Sequence, residues 1–111
     1  MLKANEEAIK KIKPGVSFRE IDLAARKVIE DQGYGEYFTH RTGHNIGIEV
    51  HEKPDVSSSS TTLLEEGMIF SIEPGIYLEG ELGVRIEDLV LVTEDGALNL
   101  NTYGKELYVK P

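Results

Sequence analysis

The chain has 111 residues, and its 12 lysines and arginines against 20 aspartates and glutamates give a formal net charge of −8. This length fits one domain, and the apolar content of 40% is typical of a globular protein. The negative charge argues against nucleic-acid or anionic-membrane partners, because phosphates would be repelled. The sequence has no cysteine, which excludes thiolate metal sites and suits a cytoplasmic location. The first residues lack the apolar core of a signal peptide, and no apolar run is long enough to span a membrane.

The first third of the chain has the periodicity of two helices. Apolar residues recur at helical spacing over residues 2–12, and a Pro-Gly pair ends this segment. Ser17 and Glu20 fit a capping box at the start of a second helix, and Gly33 is a suitable C-terminal stop. These patterns predict a pair of antiparallel helices over about residues 2–12 and 18–32.

The remainder of the chain is rich in glycine and β-forming residues. Short apolar runs separated by turn residues predict four strands, at 46–50, 68–72, 76–78 and 84–93. We expect a hydroxyl-rich loop at 57–62, a turn at 94–96, and either a last strand or a short turn at 105–111. The sequence therefore predicts an α+β fold, in which the helix pair is followed by an antiparallel sheet over about 46–110.

All three histidines, His40, His44 and His51, lie close together in the sequence. Imidazole is a common metal ligand and proton shuttle, and glycines on both sides of His44 would let its ring approach a partner closely. The alternative is a polar loop whose histidines hydrogen-bond to the backbone. The histidine cluster by itself leaves both interpretations open.

Two acidic stretches are related by the geometry of a hairpin. Glu73 and Glu87 are equidistant in sequence from Gly80, and Arg85 precedes Glu87 by two positions. If the strands pair symmetrically about Gly80, the two glutamates face each other with Arg85 on the same face. Directly opposed like charges repel, and a bound divalent cation would turn that repulsion into coordination. The alternative is an arginine–carboxylate cluster on a solvated face.

The predicted donor set indicates the kind of metal. Two carboxylates and one imidazole suit Mn²⁺, Co²⁺, Fe²⁺ or Zn²⁺ better than Ca²⁺. The spacing of His40 and His44 also occurs in a helical zinc-protease motif, but that motif needs a glutamate beside the first histidine. Here the neighbour is Arg41, so this alternative is rejected.

Four stretches in this order resemble the creatinase/aminopeptidase P/prolidase family of pita-bread metallopeptidases. They are IKPG at 12–15, HRTGHNIGIEVHE at 40–52, GMIFSIEPGIY at 67–77 and GVRIED at 83–88. The resemblance extends over nearly the whole chain and implies one half of the pita-bread fold. It also implies a hydrolase that uses two divalent metal ions. Arg85 favours the Xaa-Pro peptidases over the methionine aminopeptidases, so the implied substrate is a proline-containing peptide.

The same resemblance implies a role for each site residue. His44, Glu73 and Glu87 would bind metal. His40 and His51 would contact the substrate or the tetrahedral intermediate. Arg85 would orient groups at the metal centre.

The family site also uses two aspartates, which in the family come before the helix pair. None of the five aspartates of this chain takes those positions; they are Asp22, Asp31, Asp55, Asp88 and Asp95. We therefore expect residues 1–111 to be a C-terminal fragment of a pita-bread catalytic domain that is inactive alone. Such a fragment would self-associate through the surface that the other half normally covers.

Two alternatives to a metallopeptidase stay open. One is a non-catalytic pita-bread binding module, in which the metal ligands are typically replaced. The other is a creatinase-like, metal-free hydrolase. The three intact ligand positions, His44, Glu73 and Glu87, count against the first, and retention of Glu73 and Glu87 counts against the second.

Overall fold

The computed structural model describes residues 1–102 and 104–105, and it contains the predicted helix pair. Helix α1 spans Leu2–Lys10 and helix α2 spans Phe18–Asp31, so the first ends two residues before the predicted limit. Ser17 caps α2 as expected, because its side-chain oxygen accepts the backbone N–H of Glu20 at 3.2 Å. A short 3₁₀ helix at Gly35–Tyr37 follows. Neither α-helix in the described part of the chain is long and apolar enough to cross a membrane.

Seven strands follow the helices among the described residues. They are β1 (Gly43–Asn45), β2 (Glu52–Val56), β3 (Ile69–Ile72), β4 (Gly75–Leu78), β5 (Leu82–Arg85), β6 (Asp88–Val92) and β7 (Ala97–Asn99). One antiparallel sheet has the order β2-β1-β3-β6-β7, and β4 and β5 form a separate two-stranded sheet. The predicted α+β class is therefore confirmed.

One register relates the strands of both sheets. Ile72 pairs with Asp88 between β3 and β6, and Gly75 pairs with Arg85 between β4 and β5. All these pairs are equidistant in sequence from Gly80, which lies in the hairpin turn with a φ of +77°. The predicted pairing about Gly80 is thus confirmed. The ladder is interrupted at residues 73–74 and 86–87, where the chain passes from one sheet to the other. We call these four residues the break in the hairpin.

The strand predicted at 46–50 is wrong. These residues form a turn, in which the N–H of Gly47 donates to the carbonyl of Glu49 at 3.1 Å. The true strand, β1, begins earlier at Gly43. Strand β2 was not predicted, since its sequence EKPDV has no run of apolar residues and includes Pro54. The proline is tolerated there because β2 is an edge strand, where a missing N–H need not break the ladder.

The continuous strand predicted at 84–93 is also wrong, since the chain leaves the ladder at 86–87 and divides it into β5 and β6. The turn at 94–96 is confirmed by a 2.9 Å hydrogen bond from Thr93 N–H to the Gly96 carbonyl, but β7 after it was not predicted. The described strands run from 43 to 99 rather than from 46. Most of the tail element predicted at 105–111 lies outside the described residues.

The core joins the helices to the five-stranded sheet. Alternate residues of β6 are buried, three consecutive residues of β3 (Phe70, Ser71 and Ile72) are buried, and so are the apolar residues along one face of α2. The rings of Phe18 and Phe70 pack edge to face with centroids 5.2 Å apart. The fully buried apolar side chains include Phe18, Ile21, Leu64, Phe70, Ile72 and Val90.

A buried ion pair on α2 holds the segment that leads into β1. The Asp22 carboxylate accepts the N–H and the hydroxyl of Thr42 at 3.2 and 2.7 Å, and it accepts Arg26 Nε–H at 3.0 Å. The Arg26 guanidinium also donates to the backbone carbonyls of Phe38 and His40, each at 3.1 Å. The carbonyl of Thr42 in turn accepts the Glu73 N–H at 2.6 Å. Helix α2 is therefore connected through Thr42 to the break in the hairpin.

Replacing Asp22 by Asn should destabilise the chain by about 2–5 kcal/mol, because the variant leaves the half-buried Arg26 without its counter-charge. Asp31→Asn is the matched control, since Asp31 also pairs with a cation four residues away on α2 but is exposed, and it should cost less than about 0.5 kcal/mol. Urea denaturation of both variants measures the difference. Equal losses would show that the Asp22 network adds nothing beyond a surface ion pair.

Replacing Gly43 by Ala should be strongly destabilising. A Cβ at Gly43 would overlap the backbone carbonyl oxygen of Ser71, so β1 could not lie beside β3 without a backbone shift. Overpacking of this kind typically costs about 1–3 kcal/mol or more. Gly96→Ala is the control, because its Cβ would meet only the Ile12 carbonyl at 3.9 Å. Equal midpoints of thermal unfolding for the two variants would show that β1 and β3 do not pack this closely at Gly43.

Candidate metal centre

Three of the predicted side chains converge beside the break in the hairpin. Ligand atoms of His44, Glu73 and Glu87 all lie within 4.8 Å of one another. His44 projects from β1, and the two glutamates project from the segments that join β3 to β4 and β5 to β6. The side chains of His44 and Glu73 are only 5% and 14% exposed, whereas Glu87 is exposed. The three groups could therefore share one ion at the rim of the fold.

The hydrogen bonds of His44 determine which ring nitrogen faces the cluster. Nδ1 lies 3.1 Å from the Asn45 carbonyl, and only an N–H can occupy that position favourably. Nε2 is then left with its lone pair directed at Glu73 Oε2, 3.5 Å away. That carboxylate oxygen is buried and has no hydrogen-bond partner among the residues that the structure describes. Two facing acceptors need a proton or a cation between them, so this donor set fits a divalent metal.

The pKa values of the two glutamates are shifted in opposite directions. Hydrogen bonding to Glu73, together with burial and the negative charge of Glu73, raises the pKa of Glu87 to about 7. Burial opposes ionisation of Glu73, but hydrogen bonds with Glu87 and Ser71, the charge of His44 when its ring is protonated, and the charge of Arg85 outweigh it and lower its pKa. Glu87 therefore keeps its proton below about pH 7 while Glu73 is ionised, and a divalent cation would replace that proton.

A cavity of about 360 Å³ opens onto the three candidate ligands. In the described part of the chain, its lining includes His51 and Arg85 but not His40. The His51 ring lies 4.3 Å from the His44 ring, measured between centroids. The rest of the described wall is formed by the apolar residues Ile46, Val50 and Leu89, together with Asn101. The cavity therefore combines a cluster of charged groups with an apolar side.

The structure places His40 against the start of β4. Its Nδ1 lies 2.6 Å from the Arg41 carbonyl, and its Nε2 lies 3.0 Å from the Tyr77 hydroxyl. Both ring nitrogens are thus engaged, with Nδ1–H as donor and Nε2 as acceptor. A Cβ on Gly75 would lie 3.1 Å from His40 Nε2 and 2.8 Å from the Tyr77 hydroxyl, so only glycine leaves room for this contact. His40 therefore lies against Gly75, which follows Glu73 by two residues in the hairpin.

Sequence reasoning missed several polar residues around the site. Tyr77 holds His40, and the Asn101 side chain lines the cavity while its carbonyl accepts the Leu89 N–H at 2.6 Å. Nothing in the local pattern indicates either contact. Asn5 and Asp22 could have been recognised, because each interrupts the apolar face of a helix and a buried polar group needs a partner.

Comparison with known proteins gives a consistent family assignment. The model of metallopeptidase family M24 matches residues 1–94. An Xaa-Pro dipeptidase from Lactobacillus delbrueckii subsp. lactis is 54% identical over 97% of the chain, which covers 29% of that relative. The chain thus spans about 30% of the length of the curated relatives it matches.

Solved structures agree with this assignment. An X-Pro aminopeptidase from Thermotoga maritima superposes on 98% of the chain with a TM-score of 0.94 and 45% identity, and the match covers 31% of that protein. The prolidase from Pyrococcus furiosus superposes on 94% of the chain with a TM-score of 0.92 and 47% identity, again covering 31%. At 45–47% identity, these structures resemble the chain in sequence as well as in fold. The chain belongs to metallopeptidase family M24.

Proposed function

We propose that this chain supplies three metal ligands and the surrounding side chains of a peptidase that hydrolyses bonds next to proline. The observation that carries the proposal is the convergence of His44, Glu73 and Glu87, with one buried carboxylate oxygen that has no partner among the described residues. Membership of the M24 family and the Xaa-Pro dipeptidase and prolidase names of its relatives support the substrate class.

The residues of the cavity suggest a division of labour. A divalent ion held by His44, Glu73 and Glu87 would polarise the scissile carbonyl and lower the pKa of a bound water. His51 lies on the cavity wall beside His44, where its ring can hydrogen-bond to a substrate oxygen. The charge of Arg85 favours the ionised form of both glutamates and so keeps them available as ligands.

His40 contributes differently in this proposal. Its ring is fixed by Arg41 and Tyr77, so it presents an oriented imidazole on the side of Glu73 that faces the two-stranded sheet. Contact with substrate there would require the Tyr77 hydroxyl to exchange its hydrogen bond for one to the peptide. The Tyr77 hydroxyl and His40 would then act together in binding the substrate.

We further propose that the 111-residue chain has little or no peptidase activity by itself. Two-metal catalysis needs a second set of ligands to hold both ions roughly 3.5–4 Å apart. Among the described residues, the structure has one cluster of three potential ligands, and it includes no aspartate. Asp88, the aspartate next to Glu87, is buried and paired with Lys105 at 2.8 Å. The second ion of the family site would depend on ligands outside this set.

Three expectations from the sequence stay predictions. They are a cytoplasmic location, the lack of nucleic-acid or membrane partners, and self-association. The prediction of self-association is supported by exposed apolar side chains near the cavity, such as Ile48 and Val50, which a second copy of the chain could cover. The identity of the ion among Mn²⁺, Co²⁺, Fe²⁺ and Zn²⁺ is also a proposal, and Mn²⁺ is the first to test.

The chain should bind Mn²⁺ yet fail to hydrolyse Xaa-Pro dipeptides, whereas a longer protein that contains it should do both. Titration calorimetry and a dipeptide assay with added Mn²⁺ or Co²⁺ measure these two properties. His44→Ala should abolish Mn²⁺ binding, and Glu79→Gln in the exposed hairpin turn is the control that should not. Robust metal-dependent turnover by the 111-residue chain would contradict the proposed dependence on further ligands.

Glu87→Gln should stabilise the metal-free chain at alkaline pH while it weakens Mn²⁺ binding. The folded chain holds the Glu87 proton more tightly than the unfolded chain, because its pKa is about 7 against an ordinary value of 4.5. Wild-type stability should therefore fall as the pH rises between these values, and the variant should lack this loss. Urea melts in EDTA at about pH 5 and about pH 8 compare the two. A gap between variant and wild type that is equal at both pH values would show that the carboxylates do not repel.

A further inference from the structure

The break in the hairpin leaves one backbone carbonyl without its ordinary partner. Pro74 and Ile86 face each other in the shared register, and the Ile86 N–H donates to the Pro74 carbonyl at 3.4 Å. A hydrogen-bonded antiparallel pair normally exchanges two such bonds. Proline has no N–H, so Pro74 cannot return the second bond to the carbonyl of Ile86. A partly buried carbonyl in this position needs another donor.

Asn5 on α1 provides that donor. Its side chain is fully buried, and its amide nitrogen lies 3.5 Å from the Ile86 carbonyl and 3.4 Å from the Ile72 carbonyl. These are long hydrogen bonds, but they join one amide group to both segments of the break. Its carbonyl oxygen accepts Lys105 Nζ–H at 2.8 Å, so the Asn5 side chain uses both its donors and its acceptor.

The position of these contacts relates Asn5 to the candidate metal centre. Ile72 and Ile86 immediately precede Glu73 and Glu87. Asn5 therefore donates to the carbonyls of the two peptide bonds that join these isoleucines to the glutamates. Lys105 extends the contact, because it also pairs with Asp88 on the other side of Glu87. An apolar residue would be the ordinary choice at a helix position that lies among Ala8 and other core side chains.

We propose that Asn5 is a positioning residue for the metal centre. It supplies the N–H that Pro74 lacks and thereby fixes the separation of the two backbone segments that carry Glu73 and Glu87. This inference rests on the proposed metal-binding role of the two glutamates. It does not require Asn5 to touch the ion.

The test compares Asn5→Leu, which is close to isosteric but cannot donate, with Val92→Ala. Val92 is buried at the far end of β6, so its truncation lowers stability without touching the break. Loss of an outer contact to a metal ligand typically costs about ten- to one-hundredfold in metal affinity. We expect Asn5→Leu to weaken Mn²⁺ binding by that factor and Val92→Ala to leave it unchanged. If Asn5→Leu does not fold, Asn5→Ala, which also removes the donor, carries the same expectation.

A second readout does not depend on metal. The backbone ¹⁵N resonances of Glu73 and Glu87 respond to hydrogen bonding at the carbonyls that precede them, so Asn5→Leu should shift both and Val92→Ala neither. Unchanged resonances, or equal loss of Mn²⁺ affinity in both variants, would overturn the positioning role. If the wild-type chain binds no Mn²⁺, the proposed metal function fails. Selective shifts at Glu73 and Glu87 would then still support the backbone role of Asn5.

Discussion

The opposition of two carboxylates across a gap in one antiparallel register is the constraint on which this structure depends. Glu73 and Glu87 are brought together by strand pairing on both sides of them, so neither can move away without loss of that pairing. Their mutual repulsion is relieved in part by protonation of Glu87 and by the charge of Arg85 nearby. Two carboxylates held together in this way lower the stability of the metal-free form, and a bound cation would remove that cost.

The helices hold the site as well as covering the core. Asn5 on α1 contacts the backbone before each glutamate, and Asp22 on α2 holds Thr42, whose carbonyl accepts the Glu73 N–H. Both polar residues lie on otherwise apolar helix faces and are fully buried. A buried polar group without partners would be costly, so each restricts its helix to one position over the sheet. Packing and site geometry are therefore determined by the same contacts.

The parts of the fold that sequence could predict are those with local or periodic signals. The cap at Ser17, the apolar face of α2 and the pairing about Gly80 follow from neighbouring residues alone. Strands β1 and β2 were not predicted, because β1 has only three residues and neither GHN nor EKPDV contains a run of apolar side chains. The contacts of the cavity join residues distant in sequence, as with Asn101 and Leu89, and no local pattern indicates them. The approach of Glu73 to Glu87 was predictable because both lie in one hairpin, whereas His44 was placed beside them only through the resemblance to a known family.

The symmetric register also limits how the chain could change in length. The turn at Glu79–Glu81 is exposed and touches neither the cavity nor the core, so residues added there would extend the tip of the hairpin. One residue added between Ile72 and Gly75 would instead exchange the two faces of every later position relative to its partner strand. Glu73 and Glu87 would then no longer meet. Variation in length can therefore accumulate at the tip of this hairpin, while its middle must keep a fixed count.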